Sequence, residues 1–131
     1  KNFELLTSIT GIGRIISLET IVLTENFTAI SNPRKYACYI VIAPFKKESG
    51  TSVRKKTGVS KKGFSEAKAD LSIAVLSAIK NNPSLRDFWI RKRKEKCGGI
   101  VLNAVKFKLV LRMFAVIKRG TPYVETDAYK N

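Results

Sequence analysis

The chain has 131 residues, with 25 Lys and Arg against 10 Asp and Glu, no histidine and a formal net charge of +15. That length suits one domain around one modest core, and 44% hydrophobic residues are enough to fold it, which excludes global disorder. The missing imidazole excludes a Ser-His-Asp triad, a histidine zinc site and a histidine general base.

The longest uncharged stretch, residues 36–45, is about half of the roughly 20 residues a membrane-spanning helix needs. No membrane partner is therefore expected. The first residue is Lys1, with no initiator Met and no charged-then-apolar leader, which predicts a piece of a longer chain.

In chain order, residues 3–9 read as a short helix with Leu5, Leu6 and Ile9 on one face. Thr10-Gly11-Ile12-Gly13 stops it. Residues 14–23 then read as helical, with Ile15, Ile16, Leu18 and Val22 apolar, although Ile21, Val22 and Thr24 also suit a strand. Asn32-Pro33 and Asn82-Pro83 are matching helix starts. Each places a side-chain acceptor at the N-cap and a proline at the first helical position, where its missing N–H costs nothing. They open helices over 33–40 and 83–96.

Residues 64–80 form the cleanest amphipathic pattern, with Ala67, Leu71, Ala74, Val75, Ala78 and Ile79 on one face. Residues 100–117 are apolar nearly all round, as befits the central helix of a bundle. Gly120-Thr121-Pro122 ends that helix, and 124–131 form a tail with little to bury. Residues 46–63 have no period and read as an exposed basic loop between helices. Cys38 and Cys97 match no chelating spacing and read as buried thiols rather than a disulfide. The fold expected is mainly α: a small helical domain with a helix-hairpin-helix and that exposed basic loop.

The charge is unevenly placed. Residues 1–45 are nearly neutral, whereas 46–68 hold eight Lys or Arg against Glu48 and Glu66. So concentrated an excess self-repels unless a polyanion offsets it, and nucleic acid is the default polyanion. Two segments can meet it. Ile9-Thr10-Gly11-Ile12-Gly13 between two short helices is the helix-hairpin-helix pattern. Glycines at 11 and 13 free backbone N–H groups ahead of Arg14 for a phosphate, and Ile12 points inward to pin the turn. An ordinary helix corner needing glycine to turn would look the same.

The second segment runs from Lys46-Lys47 through Ser49-Gly50 to Arg54-Lys55-Lys56 and Lys61-Lys62. Its cations can neutralise phosphates, and Gly50 leaves room for one to approach Ser49. From the residues alone, Ser-Gly in a basic loop is a turn. Glu66 and Asp70, at i and i+4, are the nearest thing to a carboxylate pair, and no metal site is expected within the chain. Trp89, followed by Arg91, Lys92, Arg93 and Lys94, would either stack a base or fill the core beside Phe88.

Taken together, these residues resemble the C-terminal domain of insertion-sequence transposases that carry a RuvC-like Asp/Glu/Asp/Asp N-terminal domain, a group that includes the Piv-type DNA invertases. The resemblance rests on Ser8-Ile9-Thr10-Gly11-Ile12-Gly13, Phe27, Pro33-Arg34-Lys35-Tyr36-Ala37 leading to Ala43-Pro44, Glu48-Ser49-Gly50, Lys61-Lys62-Gly63, Lys108-Leu109 and Gly120-Thr121-Pro122-Tyr123. It departs at Val41, where the family usually has Gly, and at Ala67-Lys68, where it usually has Leu-Arg.

The resemblance implies a site-specific DNA recombinase in which Ser49 attacks a DNA phosphodiester. The Mg²⁺-binding carboxylates would sit in the N-terminal domain, outside this chain. It further implies an element-encoded guide RNA, a homo-oligomer and a cytoplasmic, nucleoid-associated location. The competing expectation is a helix-hairpin-helix DNA- or RNA-binding module without catalysis, in which Ser49 is only a turn residue.

Overall fold

The structure, a computed structural model, describes residues 1–42 and 61–124, with the side chains of Ile42, Lys61 and Lys62 outside that description. Six α-helices follow in order: α1 (Asn2–Thr7), α2 (Arg14–Leu23), α3 (Pro33–Ala37), α4 (Lys61–Asn81), α5 (Pro83–Arg93) and α6 (Gly98–Arg119). A π-helical turn, Cys38–Ile42, extends α3. Among the described residues there is no strand, so the expected mainly α domain is what forms.

The Asn-Pro starts behave as their chemistry requires. The Asn32 side chain accepts the Arg34 N–H at 2.8 Å, and Asn82 accepts the Leu85 N–H at 3.1 Å. Pro33 and Pro83 occupy the first helical turn. Each cap stabilises its helix by about 1 kcal/mol. The first helix leaves α geometry at Cys38, two residues before the expected end, and the wider turn keeps both Ile40 and Val41 buried. Val41, the departure from the family pattern, is thus a core residue.

α6 is central. It packs against α1, α3, the π turn, α4 and α5, burying Val101, Val105, Leu109, Val110, Met113 and Val116. Burial of each such side chain contributes about 1.5–3 kcal/mol. Gly120 ends the helix with φ +78°, its N–H returning to the Val116 carbonyl at 2.8 Å. α4 buries Phe64, Ala67, Leu71, Ala74, Val75 and Ala78. Small residues on that face let neighbours approach closely. Gly11, at φ +93°, lies so near that an added Cβ would fall 2.6 Å from the Ala78 Cβ.

α2 spans the expected residues, and most of the apolar side chains named in the sequence face outward. Ile16, Ser17, Thr20 and Leu23 are buried, whereas Ile15 and Val22 are 62% and 66% exposed and Leu18 is exposed too. The inward hydroxyls satisfy themselves within the helix: Ser17 Oγ donates to the Gly13 carbonyl (2.8 Å) and Thr20 Oγ1 to that of Ile16 (2.8 Å). A buried hydroxyl paired in this way avoids the desolvation penalty that would otherwise expel it.

After α2, Glu25, Asn26 and Phe27 take left-handed φ values of 53°, 61° and 66°. Such a run costs about 1–2 kcal/mol per residue. It is held by the Asn26 N–H on the Ile21 carbonyl (2.7 Å), the Phe27 N–H on Thr24 Oγ1 (2.9 Å) and the Phe27 ring edge-on to Phe114 at 4.9 Å. The cysteines are free, as expected, but both are exposed rather than buried. Cys97 sits at the N-cap of α6, on the rim of the domain rather than in its core.

Candidate nucleic-acid interface

The Thr10–Gly13 turn joins α1 and α2, which pack against each other. Ile9 and Ile12 are buried, so Ile12 pins the turn as its position implies. The two glycines have separate duties. Gly11 is committed to its contact with α4. Gly13 is exposed, meets no atom that a Cβ would touch, and forms the N-cap of α2 without a side chain to bond the first helical N–H groups. Arg14 follows, also exposed, and no acidic residue lies in that first turn. Uncapped N–H groups, the positive end of the helix dipole and a cation then coincide at the surface, a setting suited to phosphate.

Of the basic segment, Lys46, Lys47, Ser49, Gly50, Arg54, Lys55 and Lys56 lie outside the described residues. Lys61, Lys62 and Gly63 do not belong to a loop: they open α4, three residues earlier than the apolar pattern alone predicts. Apolar periodicity does not report the first turn of a helix, so the extension left no signal. No acidic residue offsets them in that turn. Cations at a helix N-terminus oppose its dipole, at about 0.3–1 kcal/mol each, a cost that a bound anion removes.

The carboxylates converge differently from the i, i+4 pairing read in the sequence. Glu66 and Asp70 of α4 are joined by Glu19 of α2, brought there by the packing of the two helices. Burial, followed by the hydrogen bond with Asp70 and the charges of Asp70 and Glu66, pushes the Glu19 carboxyl up from 4.5 to about 8. Glu19 Oε1 is buried without a hydrogen-bond partner. A carboxyl in that state keeps its proton at neutral pH. Among the described residues, no group of three or more carboxylates or thiols can hold a metal ion.

Phe88 packs partly buried against the core, as its apolar spacing allows. Trp89 is half-buried, with the Arg93 guanidinium 5.7 Å from its ring. Between α5, α6 and the segment after Gly120 lies a cleft of about 680 Å³. Arg91 of α5 faces Lys108, Arg112 and Arg119 of α6 across it. Lys108 enters the sequence only through the family resemblance, and Arg112 and Arg119 drew no functional expectation, because the helix is apolar nearly all round. Their i, i+4 spacing at 108 and 112 was the available signal.

These features stand in a chain with recognisable relatives. The Transposase IS116/IS110/IS902 family matches residues 3–90, ending inside α5 and short of α6, and the chain belongs to that family. The pilin gene-inverting protein of Moraxella lacunata is 26% identical over 122 residues, covering 92% of this chain and 38% of that protein. Its counterpart in Moraxella bovis aligns to the same extent, also at 26% identity. The chain therefore spans well under half the length of these curated relatives. No solved structure matches it.

Proposed function

We propose that this chain is the serine-bearing DNA-recombination part of a longer transposase. The observation that carries the reading is the family match over residues 3–90, which takes in the basic segment around Ser49, in a chain of net charge +15. On this reading Ser49 Oγ forms a bond to phosphorus while a bridging P–O bond to one sugar breaks. The strand is then held as a phosphoserine ester, and the freed sugar hydroxyl takes up a proton. Attack by a sugar hydroxyl on that ester reverses the step and rejoins DNA without loss of bond energy.

The serine proton goes to a base other than histidine, since the chain has none. Lys46, Lys47, Arg54, Lys55, Lys56, Lys61 and Lys62 neutralise the phosphates, and such electrostatic support is the largest contribution available. Gly50 gives the phosphate room. Gly13 and Arg14, with Gly11 and Ile12 shaping the turn, hold the DNA backbone at the start of α2. Mg²⁺ would be held by the RuvC-like domain, outside this chain. An element-encoded guide RNA, a homo-oligomeric assembly and a cytoplasmic location beside the nucleoid complete the proposal. Among the described residues, no helix is long and apolar enough to cross a membrane.

A second reading, a helix-hairpin-helix DNA- or RNA-binding module without catalysis, is favoured by the uncapped α2 N-terminus at Gly13. Recombination of an element junction by the full-length protein separates the two. Ser49→Ala is expected to keep DNA binding and lose strand exchange. With about six to eight phosphate contacts, log affinity falls against log salt with a slope of roughly −5 to −7 in both proteins. Strand exchange at an unchanged rate in Ser49→Ala would remove the nucleophile assignment.

A further inference from the structure

The α5–α6 cleft carries an arrangement that the recombination reading does not use. Four cations line it, Arg91, Lys108, Arg112 and Arg119, against one carboxylate, Asp87. Aromatic faces hold three of them in place. Lys108 Nζ lies 4.6 Å from the centre of the Phe88 ring, Arg91 lies 5.7 Å from the same ring, and Arg112 lies 5.0 Å from the Tyr123 ring. Arg119 is fixed by its own bonds, from Nε to Thr121 Oγ1 (2.7 Å) and from Nη2 to the Pro122 carbonyl (3.2 Å). Arg112 Nη1 is buried with no hydrogen-bond partner.

A ring beneath a cation orients it without consuming its N–H donors. The cleft therefore gathers pre-positioned donors that repel one another. Lys108 shows the strain: burial, then the charges of Arg112, Arg91 and Lys92, lower its pKa. A buried guanidinium N–H without a partner loses its hydration with nothing in exchange, and the loss is larger because the group is charged. An anion in the cleft would satisfy Arg112 and relieve the repulsion together.

A phosphodiester is the anion that the rest of the lining suits. Its oxygens accept from guanidinium and ammonium groups, while Leu111, Ala115 and the rims of Phe88 and Tyr123 offer apolar surface to sugars and bases. A cleft of about 680 Å³ is the size of a ligand pocket, about 300–1,000 Å³. A short run of single strand enters such a space; a duplex, with its phosphates on a convex surface, reaches only the rim.

We propose that the α5–α6 cleft binds the sugar–phosphate backbone of a single-stranded nucleic acid, with phosphates on Lys108 and Arg112. The choice of nucleic acid as the polyanion rests on the recombination reading; the cleft itself does not.

The test measures binding of the full chain to labelled oligothymidylate, oligouridylate and duplex DNA over a range of salt. The double variant Lys108→Gln, Arg112→Gln is compared with Arg91→Gln at the exposed rim. Circular dichroism reports whether each keeps its helices. The double variant is expected to lose about tenfold or more in single-strand affinity, with a salt slope shallower by about 1.4 for two lost phosphate contacts. Arg91→Gln should lose a few-fold in the same direction and covers the case in which the double variant unfolds. Duplex affinity should change by less than about twofold in both. Tighter binding of oligouridylate or of oligothymidylate identifies the natural strand as RNA or DNA.

Unchanged single-strand affinity and slope in helical variants would overturn the proposal. So would displacement of the oligonucleotide by oligoglutamate as readily as by unlabelled oligothymidylate, which would assign the cleft to an acidic peptide. If the cleft variants do nothing while Arg54→Ala, Lys55→Ala, Lys56→Ala lowers duplex binding, the cleft assignment fails alone. If no nucleic acid binds at any salt, the recombination reading fails with it.

Discussion

The backbone N–H of Tyr123 donates to Ser8 Oγ at 2.8 Å, tying the segment beyond α6 to the end of α1 across 115 residues of sequence. Ser8 in turn donates to the Leu5 carbonyl at 2.6 Å, so one hydroxyl serves both ends of the fold. The ring of Tyr123 lies under Arg112. The end of α1 and the α5–α6 cleft are thereby joined through Ser8 and Tyr123. Ser8→Ala should lower stability by about 1 kcal/mol, read as a fall of a few degrees in thermal midpoint. An unchanged midpoint would mean the link contributes nothing.

The two turn glycines should respond in opposite ways to alanine. Gly11→Ala combines a left-handed φ with a 2.6 Å approach to Ala78 and should cost at least about 2 kcal/mol in chemical denaturation. Gly13→Ala has open space and should cost only the poorer N-cap, about 0.5–1 kcal/mol, while weakening duplex binding measured by anisotropy. Equal destabilisation by both would contradict the division of roles.

Stability should depend on pH through Glu19 in the direction opposite to a salt-bridged carboxylate. Its pKa is raised from 4.5 in the unfolded chain to about 8 in the folded one. The folded state therefore binds the proton more tightly. The stabilisation is fully present below about 4.5 and is lost as pH rises through about 8. With no histidine in the chain, few other groups titrate in that window. Denaturation midpoints of the parent should fall as pH rises toward about 8, and Glu19→Gln should flatten the curve. Parallel curves for the two proteins would contradict the raised Glu19 pKa.

At Glu25, φ is 53°, and the turn is closed by backbone groups and Thr24 Oγ1. Glu25→Gly removes the left-handed cost of a Cβ and adds flexibility to the unfolded chain. The net gain should be roughly 0.5–1 kcal/mol. A loss of stability would show that the side chain supports the bend.

Local signals carried much of the fold. Asn32-Pro33 and Asn82-Pro83 announce their helices because cap and proline act within three residues. The bounds of α2 and the central place of α6 follow from turn residues and apolar density. Contacts made across the chain were not legible. The apolar residues Ile15, Leu18 and Val22 do not mark the inner face of α2, and nothing in the sequence says that Ser17 and Thr20 bond their own helix and go inside. Glu19 meets Asp70 only once α2 lies on α4. The cations of the α5–α6 cleft are scattered between 91 and 119 and converge only in three dimensions. Ser49 lies outside the described residues, so its role stands on the family resemblance.

The most direct test of the recombination account is a covalent-trapping experiment. Full-length protein, Mg²⁺, element-encoded RNA and labelled junction DNA are mixed, denatured and separated on a gel beside Ser49→Ala. The account predicts a retarded, protease-sensitive DNA band that vanishes in Ser49→Ala. The same band persisting in Ser49→Ala, or no adduct while DNA binding is intact, would contradict it.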